Sequence, residues 1–344
     1  MTQDSEHNPI VVGLDELQNG IDYDILQKAF GPDSLGIILV KDLPQHFHKL
    51  RLEVLQSASV LANLPEEDLN ILESEESIWL TGWSCGKEKL ASSGKPDFNK
   101  GSFYVNCAFH NDSSLEGPLP ELVERFQDYK AYTTPNLWPK ANAGLESFES
   151  NLKELCNFII DVAGSVAANC DKYIKSVYES YSSDFLQRVV RDSTCTKARL
   201  LHYFPSKQAQ SNSIKGEDDW CGEHLDHSCL TGLTSALFID ESKGLTYNLD
   251  KSPDELSGLY IRDRNNNVVK VNIPPDCLAF QSGSTLQEVS KGGFKAVPHY
   301  VKGTSLPSIA RNTLAVFCQP DLDEPVNENE NFAEYSNRIL KGNH

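Results

Sequence analysis

The sequence feature that most constrains this chain is the segment Gly222-Glu-His224-Leu-Asp226, followed 73 residues after Asp226 by a second histidine, His299. Side chains alternate along an extended segment, so His224 and Asp226 share one face of a strand. Two imidazoles and one carboxylate on the same side of a metal form the facial set suited to Fe(II), with positions left open for other ligands. We therefore predict that His224, Asp226 and His299 bind iron, in a fold that brings the two segments together.

The sequence around these residues makes a chance match less plausible. A His-x-Asp pattern is short, and nine histidines in 344 residues produce such pairs at random. However, residues 230–239 form an apolar, β-branched run typical of a buried strand, and His299 lies in a second extended segment. Twelve residues beyond His299, Arg311 and Thr313 again have the i, i+2 spacing of one strand face. A guanidinium pairs with a carboxylate through two hydrogen bonds, and a neighbouring hydroxyl adds a third, so the sequence predicts a dicarboxylate anchor beside the metal.

Four stretches, in order, resemble the 2-oxoglutarate- and Fe(II)-dependent oxygenases, in the isopenicillin N synthase-like branch. They are Arg199-Leu-Leu-His-Tyr-Phe-Pro205, His224-Leu-Asp226 with Leu230-Thr231, the run from Ser284 to His299, and Arg311-Asn-Thr313. The resemblance is close over roughly residues 195–320 and looser before them. It implies a double-stranded β-helix (jelly roll) core and Fe(II) at the three predicted ligands. It also implies 2-oxoglutarate as co-substrate, held by Arg311 and Thr313, and O₂ as the second co-substrate.

The implied reaction hydroxylates or otherwise oxidises a small organic substrate and releases succinate and CO₂. Three departures from the family pattern bear on it: Thr313 replaces a serine but keeps the hydroxyl, Tyr300 replaces an arginine, and Phe204 replaces the second tyrosine of Tyr-Tyr-Pro. The hydroxyl missing at Phe204 removes about 1 kcal/mol, the usual net value of one hydrogen bond. An oxidase that does not use 2-oxoglutarate therefore stays open as an alternative. A non-catalytic jelly-roll binding protein is a second alternative, although the complete set of three ligands argues against it.

The chain also resembles an uncharacterised subgroup of this family through Gly82-Trp-Ser-Cys-Gly-Lys-Glu88. The surrounding residues 75–115 are too polar for a core element and too aromatic for a linker. Because loops on a scaffold often carry binding residues, we predict that some of these side chains lie at the mouth of the cleft. The alternative is that they pin the loop to the core. The predicted substrate contacts are Trp83, Lys87, Phe103 and His202, and His227 is a further candidate next to the metal ligands.

The remaining chain predicts a mainly β protein with flanking helices and a helical N-terminal part. Apolar residues recur at helical spacing over residues 144–180, which indicates a long amphipathic helix. From Thr194 onward, short strands alternate with turns, as in a sandwich or jelly roll. The predicted strands include 197–204, 230–239, 259–262, 267–273, 276–281 and 285–289, and residues 206–220 are interpreted as a surface excursion or a flap. We divide the chain into an N-terminal region (1–140), a scaffold helix (141–190), the jelly-roll core (191–320) and a C-terminal tail with a helix (321–344).

Composition limits the class of partner and the location. A net charge of −18 argues against nucleic-acid binding, which depends on an excess of lysine and arginine. Nine scattered cysteines without Cys-x-x-Cys spacing indicate reduced thiols, and the polar N-terminus resembles no secretory signal. No apolar run approaches the ~20 residues that span a bilayer. We expect a cytoplasmic protein, with the nucleus as an additional location, that binds a small molecule and neither nucleic acid nor membrane.

Overall fold

The computed structural model describes residues 8–89, 94–141, 144–206, 221–304 and 306–343. The strands are β1 (Ile10–Gly13), β2 (Ile37–Lys41), β3 (Gly82–Cys85), β4 (Lys100–Asn106), β5 (Lys197–Tyr203), β6 (Cys221–His224), β7 (Leu230–Thr234), β8 (Leu237–Asp240), β9 (Asn248–Leu249), β10 (Gly258–Arg262), β11 (Val268–Val271), β12 (Leu278–Ser282), β13 (His299–Lys302) and β14 (Ile309–Cys318). The helices are α1 (Leu14–Asn19), α2 (Tyr23–Phe30), α3 (Gln45–Ala62), α4 (Glu66–Asn70), α5 (Pro120–Arg125), α6 (Lys130–Thr133), α7 (Phe148–Val177), α8 (Phe185–Asp192), α9 (Ser284–Val289) and α10 (Phe332–Asn343). None of the helices in these ranges is both long enough and apolar enough to cross a bilayer.

Two sheets carry the architecture. The large sheet has the order β1-β2-β12-β7-β14-β5-β4-β3, with β8 paired to β14 and β9 paired to β8. The small sheet has the order β11-β10-β13-β6. Strands β1 and β2 extend one side of the large sheet and β3 and β4 the other, so the region before residue 140 belongs to the same sheet as the strands that follow it. The fold is therefore sheet-rich and mixed, with helices packed around the large sheet.

The two faces of the large sheet are covered by different layers. Leu200 on β5 and Leu314 on β14 point into the main hydrophobic core, which also holds the buried side chains of α3 and α7. Their neighbours Leu201 and Ala315 point the other way, into a smaller apolar cluster shared with the small sheet. At the centre, Gly232 on β7 lets α7 approach, because a Cβ there would lie 2.4 Å from a side-chain carbon of the helix. One face thus packs on helices and the other on a second sheet.

Most predicted elements form, including the long helix α7 and the C-terminal helix α10, but the predicted strand 230–239 is two strands, β7 and β8. The chain breaks at Ser235 and Ala236, whose carbonyls leave the ladder and accept hydrogen bonds from the buried Arg51 of α3, at 2.8–3.1 Å. An internal cation satisfies the freed acceptors, as buried carbonyls require. The continuous apolar pattern gave no sign of this interruption.

The predicted strand 285–289 is wrong, because these residues form helix α9. Thr285, Leu286 and Val289 fit a helical spacing as well as an extended one, and a short apolar run does not distinguish the two. The tertiary context decides: the Ser284 amide donates to the backbone carbonyl of Asp226 at 2.7 Å, and the Thr285 hydroxyl donates to the carbonyl of His227 at 2.5 Å. Residues 207–220 of the predicted excursion lie outside the described ranges.

Candidate metal centre and its cavity

The small sheet brings the three predicted ligands together. His224 ends β6 and His299 begins β13, and these two residues are paired partners in the sheet, with ring centres 4.3 Å apart. Asp226 follows β6, and its Oδ1 lies 3.5 Å from His224 Nε2 and 3.7 Å from His299 Nε2. One donor atom from each residue lies within 4.8 Å of the others. One pair of antiparallel strands thus brings together ligands that are 73 residues apart in the sequence.

The carboxylate of Asp226 is held in place and kept ionised. The Thr231 hydroxyl of β7 donates to Asp226 Oδ2 at 2.7 Å, which ties the ligand to the large sheet. Burial alone would raise the pKa of Asp226, but the His299 and His224 imidazoles and the Thr231 hydroxyl outweigh it and hold that pKa below its ordinary value. Burial also lowers the pKa of His299 to about 4, so that its imidazole is neutral at physiological pH. Both states are those that a metal ligand needs.

The hydrogen bonds of the two imidazoles select the tautomer that binds a metal through Nε2. His224 Nδ1 lies 2.7 Å from the Gly222 carbonyl, to which it donates, so the Nε2 lone pair faces Asp226. His299 Nδ1 lies 2.6 Å from the Gln281 amide nitrogen, while the buried Gln281 Oε1 has no hydrogen-bond partner. Rotating that amide by half a turn lets Oε1 accept from His299 Nδ1–H, and amide orientation is an assignment that such networks decide. The donor set then fits a divalent ion such as Fe(II), with a second layer that fixes both rings.

A cavity of about 570 Å³ between the two sheets joins the three ligands to Arg311 and Thr313. These two residues lie on the cavity face of β14. The Arg311 guanidinium carbon lies 5.2 Å from the centre of the Tyr203 ring, and the Thr313 hydroxyl donates to the Thr234 carbonyl at 3.3 Å. A planar cation on an aromatic wall is a suitable anchor for a carboxylate. The cavity is also large enough for a five-carbon dicarboxylate and a second small molecule.

The structure places two of the predicted substrate contacts, Trp83 and Phe103, in the helix-side core and not in the cavity lining. They are paired residues on β3 and β4, and both are almost fully buried. The Trp83 ring packs against Gly101, where a Cβ would come within 2.2 Å of it, and Phe103 packs edge-on against Phe148 of α7. The two residues share a face because they are paired across β3 and β4, and the register of the sheet sets which face that is.

Lys87 and His202 also lie away from the cavity lining. Lys87 forms an ion pair with Glu73 at 2.8 Å and lies over the Trp79 ring. His202 is on the helix face of β5, where its Nδ1 lies 2.8 Å from Asn312 Oδ1 and burial lowers its pKa to about 4. It is a buried, neutral histidine on the opposite face of the sheet from the cavity.

Phe204 follows His202 onto the same helix-facing side. Its ring packs edge-on against the His202 ring at 4.6 Å. Tyr203, the residue between them, faces the cavity beside Arg311. A hydroxyl at position 204 would therefore point away from the predicted co-substrate anchor, and the replacement of tyrosine by Phe204 carries no argument against 2-oxoglutarate.

His227 connects the ligand loop to the C-terminal helix. Its Nε2 lies 3.1 Å from the Tyr132 hydroxyl, which also contacts the Ser336 hydroxyl of α10, and its ring stacks on Phe332. The C-terminal tail thus supports the backbone that carries Asp226. Sequence position marked His227 as a candidate but gave no indication of these partners.

Arg199 of β5 is among the cavity residues that sequence reasoning did not select. It lies on the same strand face as Leu201 and Tyr203, which also line the cavity. The available signal was its i, i+4 spacing from Tyr203 within a stretch already singled out. Without the sheet register, that spacing does not identify the cavity face.

No protein-family model matches the chain, and no curated protein matches it. Several solved structures match the chain. Thymine-bound Neurospora crassa T7H, crystallised with alpha-KG, is similar at 17% identity over 100% of this chain and 99% of its own, with a TM-score of 0.64. JOX2 in complex with 2OG, Fe and JA is similar at 15% identity over 98% and 87%, with a TM-score of 0.63. A rice dioxygenase for auxin oxidation is similar at 16% identity over 97% and 96%, with a TM-score of 0.59. At these identities the likeness establishes the fold.

Proposed function

We propose that this chain, which has the fold of the 2-oxoglutarate- and Fe(II)-dependent oxygenases, is itself such an enzyme and oxidises a small organic molecule. His224, Asp226 and His299 would bind Fe(II), while Arg311 and Thr313 would hold 2-oxoglutarate, with O₂ as the other co-substrate. The observation that carries the proposal is the convergence of the three donors within 4.8 Å at a cavity that also contains Arg311 and Thr313. In this proposal the two facing sheets are a double-stranded β-helix.

The bound iron would supply the oxidative chemistry, in which 2-oxoglutarate and O₂ are consumed and succinate and CO₂ are released. The side chains of this chain would bind and orient. Thr231 would keep Asp226 in position, Gln281 would fix the His299 ring, and Arg311 would accept the far carboxylate of the co-substrate. Apolar lining residues such as Leu233 and Val301 would keep water out of the space between them.

The two alternatives have less support. An oxidase that does not use 2-oxoglutarate was suggested by Phe204, which lies on the far side of the sheet from the cavity. A non-catalytic binding protein does not require a buried carboxylate held between two oriented imidazoles. We further propose that the four regions, residues 1–140, 141–190, 191–320 and 321–344, form one folded unit around this cavity. A cytoplasmic location and a small-molecule partner complete the proposal. The relatives bound to thymine and to JA are consistent with such a partner.

Anaerobic titration of the purified protein with Fe(II) and then 2-oxoglutarate tests the proposal. We expect the weak visible absorption band of an Fe(II)–2-oxoglutarate chelate to appear in the wild type. His224→Ala should lose iron and band together, whereas Arg311→Ala should retain iron and need at least about tenfold more 2-oxoglutarate, because it loses charge-assisted hydrogen bonds. Iron binding without a band would favour the oxidase, and absence of iron binding in the wild type would favour the binding protein.

A further inference from the structure

Arg51 of α3 is a buried cation in the wall of the cavity. The residue is only 7% exposed, and it lines the space between the two sheets. Its Nε and Nη2 donate to the Ser235 carbonyl at 3.1 and 2.8 Å, and Nη2 also donates to the Ala236 carbonyl at 3.0 Å. These hydrogen bonds leave one edge of the guanidinium and end on neutral acceptors, so they orient the group without balancing its charge.

No carboxylate pairs with Arg51 within the ranges that the structure describes. Asp250 and Asp276 also line the cavity, but both are exposed and neither lies within ion-pair distance of the guanidinium. Among the described residues, Nη1 has no hydrogen-bond acceptor. Burial lowers the pKa of Arg51 to about 10, and the group is still charged at neutral pH. A buried cation without a partner is costly, and an anion in the cavity would offset that cost.

The sheet register separates Arg51 from the metal centre and from the proposed co-substrate anchor. Ser235 follows Thr231, the partner of the aspartate ligand, by four residues, which is about 14 Å of extended chain. Arg311 lies over the Tyr203 ring of β5, and β14 lies between β5 and β7. Two strand spacings separate β5 from β7 by about 10 Å. A molecule bound at Arg51 would therefore leave the metal ligands and the co-substrate anchor free for their own ligands.

The part of the cavity next to Arg51 has apolar walls and opens to solvent. Leu237 of β8 is buried, Leu249 comes from β9, and the exposed Leu52 follows Arg51 on α3. These elements adjoin, because the Gln56 amide of α3 donates to a side chain of β9 at 3.3 Å. A single cation next to apolar side chains favours a ligand with one negative charge and an apolar body.

We propose that the space bounded by Arg51, Leu52, Leu237 and Leu249 is a second binding site, which takes a small monocarboxylate with an apolar body. One carboxylate balances the one guanidinium and can accept from Nη1. A doubly charged oxyanion would keep an unbalanced charge in a space that Asp250 also borders. Binding at Arg51 requires neither iron nor 2-oxoglutarate, so this site is independent of the proposed function.

Equilibrium dialysis with radiolabelled benzoate at constant ionic strength tests the site. The full-length protein is measured without iron, and again after anaerobic loading with Fe(II) and saturating 2-oxoglutarate. We expect one equivalent of benzoate to bind in both states, with Kd values within about threefold, because the site lies apart from the anchor. Benzyl alcohol has the same ring without the charge, and sulfate has two charges without the ring. Each should compete with benzoate at least about tenfold more weakly than unlabelled benzoate does.

Arg51→Gln removes the charge and should weaken benzoate binding about tenfold or more, through the loss of a charge-assisted hydrogen bond. The affinity for 2-oxoglutarate, measured by the chelate band, should stay within about threefold. Arg264→Gln is the matched control, because Arg264 also donates to two backbone carbonyls, at 2.7 and 2.9 Å, but is not among the residues that line the cavity. It should bind benzoate as the wild type does.

A second pair of variants leaves Arg51 and its bonds to the β7–β8 break in place, in case Arg51→Gln folds poorly. Leu249→Asp adds a carboxylate to the wall beside the guanidinium and should weaken benzoate binding about tenfold. Leu249→Asn is similar in size but neutral, and its benzoate affinity should stay well above that of Leu249→Asp.

The second site is rejected if the wild type binds no benzoate, if benzyl alcohol or sulfate competes as well as benzoate, or if Arg51→Gln keeps wild-type affinity. It is also rejected if saturating 2-oxoglutarate abolishes benzoate binding, because benzoate would then occupy the co-substrate anchor. Equal affinities in Leu249→Asp and Leu249→Asn would reject it as well. A missing chelate band in the wild type rejects the proposed function alone, and dialysis of the iron-free protein then still decides the role of Arg51.

Discussion

Adjacent residues on β5 and β14 lie in two different environments. Leu200, His202 and Leu314 face the helices, where the packing is dense and the one imidazole is neutral and bonded to Asn312. Arg199 and Arg311, one or three residues away in sequence, face the cavity with their charges intact. The helix face therefore provides stability and the cavity face provides binding groups. The comparison predicts that substitutions on the two faces affect different measurements.

The largest contrast is expected between Asp226 and His202. Asp226→Ala removes the anionic ligand from the cavity face, and we expect Fe(II) affinity to fall more than about a hundredfold, beyond the range seen for supporting residues alone. His202→Gln alters a buried histidine on the opposite face and should leave iron affinity within about threefold. Metal content after equilibrium dialysis measures both. Similar iron losses in the two variants would contradict the division between the faces.

The free energy of unfolding should be more sensitive to substitutions on the helix face than to substitutions on the cavity face. Phe103→Ala creates a cavity in the helix-side core, and we expect the free energy of unfolding to fall by about 3–5 kcal/mol. Phe317→Ala, on the cavity face and only partly buried, should cost less than about 2 kcal/mol, because its side chain already borders open space. Urea unfolding of both variants gives the comparison. A larger loss for Phe317→Ala would mean that the two faces contribute alike.

The pH dependence of stability tests whether His202 is buried and neutral on the helix face. Its pKa is about 4 in the folded protein and about 6.5 in the unfolded chain, so below pH 6.5 the unfolded state binds the extra proton. The stability present above pH 6.5 is lost as the pH falls toward 4, by about 1–3 kcal/mol. His202→Gln should flatten this part of the curve relative to the wild type. Parallel curves for the two proteins between pH 7 and 4 would refute the neutral, buried state of His202.

The smallest effects are expected at the neighbouring aromatic residues 203 and 204. Tyr203→Leu removes the ring beneath the Arg311 guanidinium, and the lost cation–π contact should weaken 2-oxoglutarate binding about three- to fivefold. Phe204→Tyr restores the hydroxyl that is usual in the family but on the helix side, so the affinity should stay within about twofold. Titration of the chelate band measures both. A clear gain in Phe204→Tyr would place residue 204 at the co-substrate after all.

Much of the site was predictable because its parts are local. The i, i+2 spacings of His224 with Asp226 and of Arg311 with Thr313 predict that each pair points the same way, and the structure has both pairs on the cavity side, although Asp226 lies just beyond the end of β6. Three of the predicted substrate contacts lie outside the cavity for one physical reason. Trp83, Phe103 and His202 were assigned to the cavity, yet each points to the helices. Arg199, one strand position away from the helix-facing Leu200, was not selected at all.

The sequence by itself determined the donor types, the residues that lie on the same side of each strand, and the long amphipathic helix. These features depend on side-chain chemistry and on periods of 2.0 and 3.6 residues. Only the tertiary structure decided which side of each strand faces the cavity, since that depends on the register with strands distant in the chain. The same holds for the pairing of Glu88 with Arg199, which are 111 residues apart. Alternation makes residues share a face, but only the sheet's partners determine what that face meets.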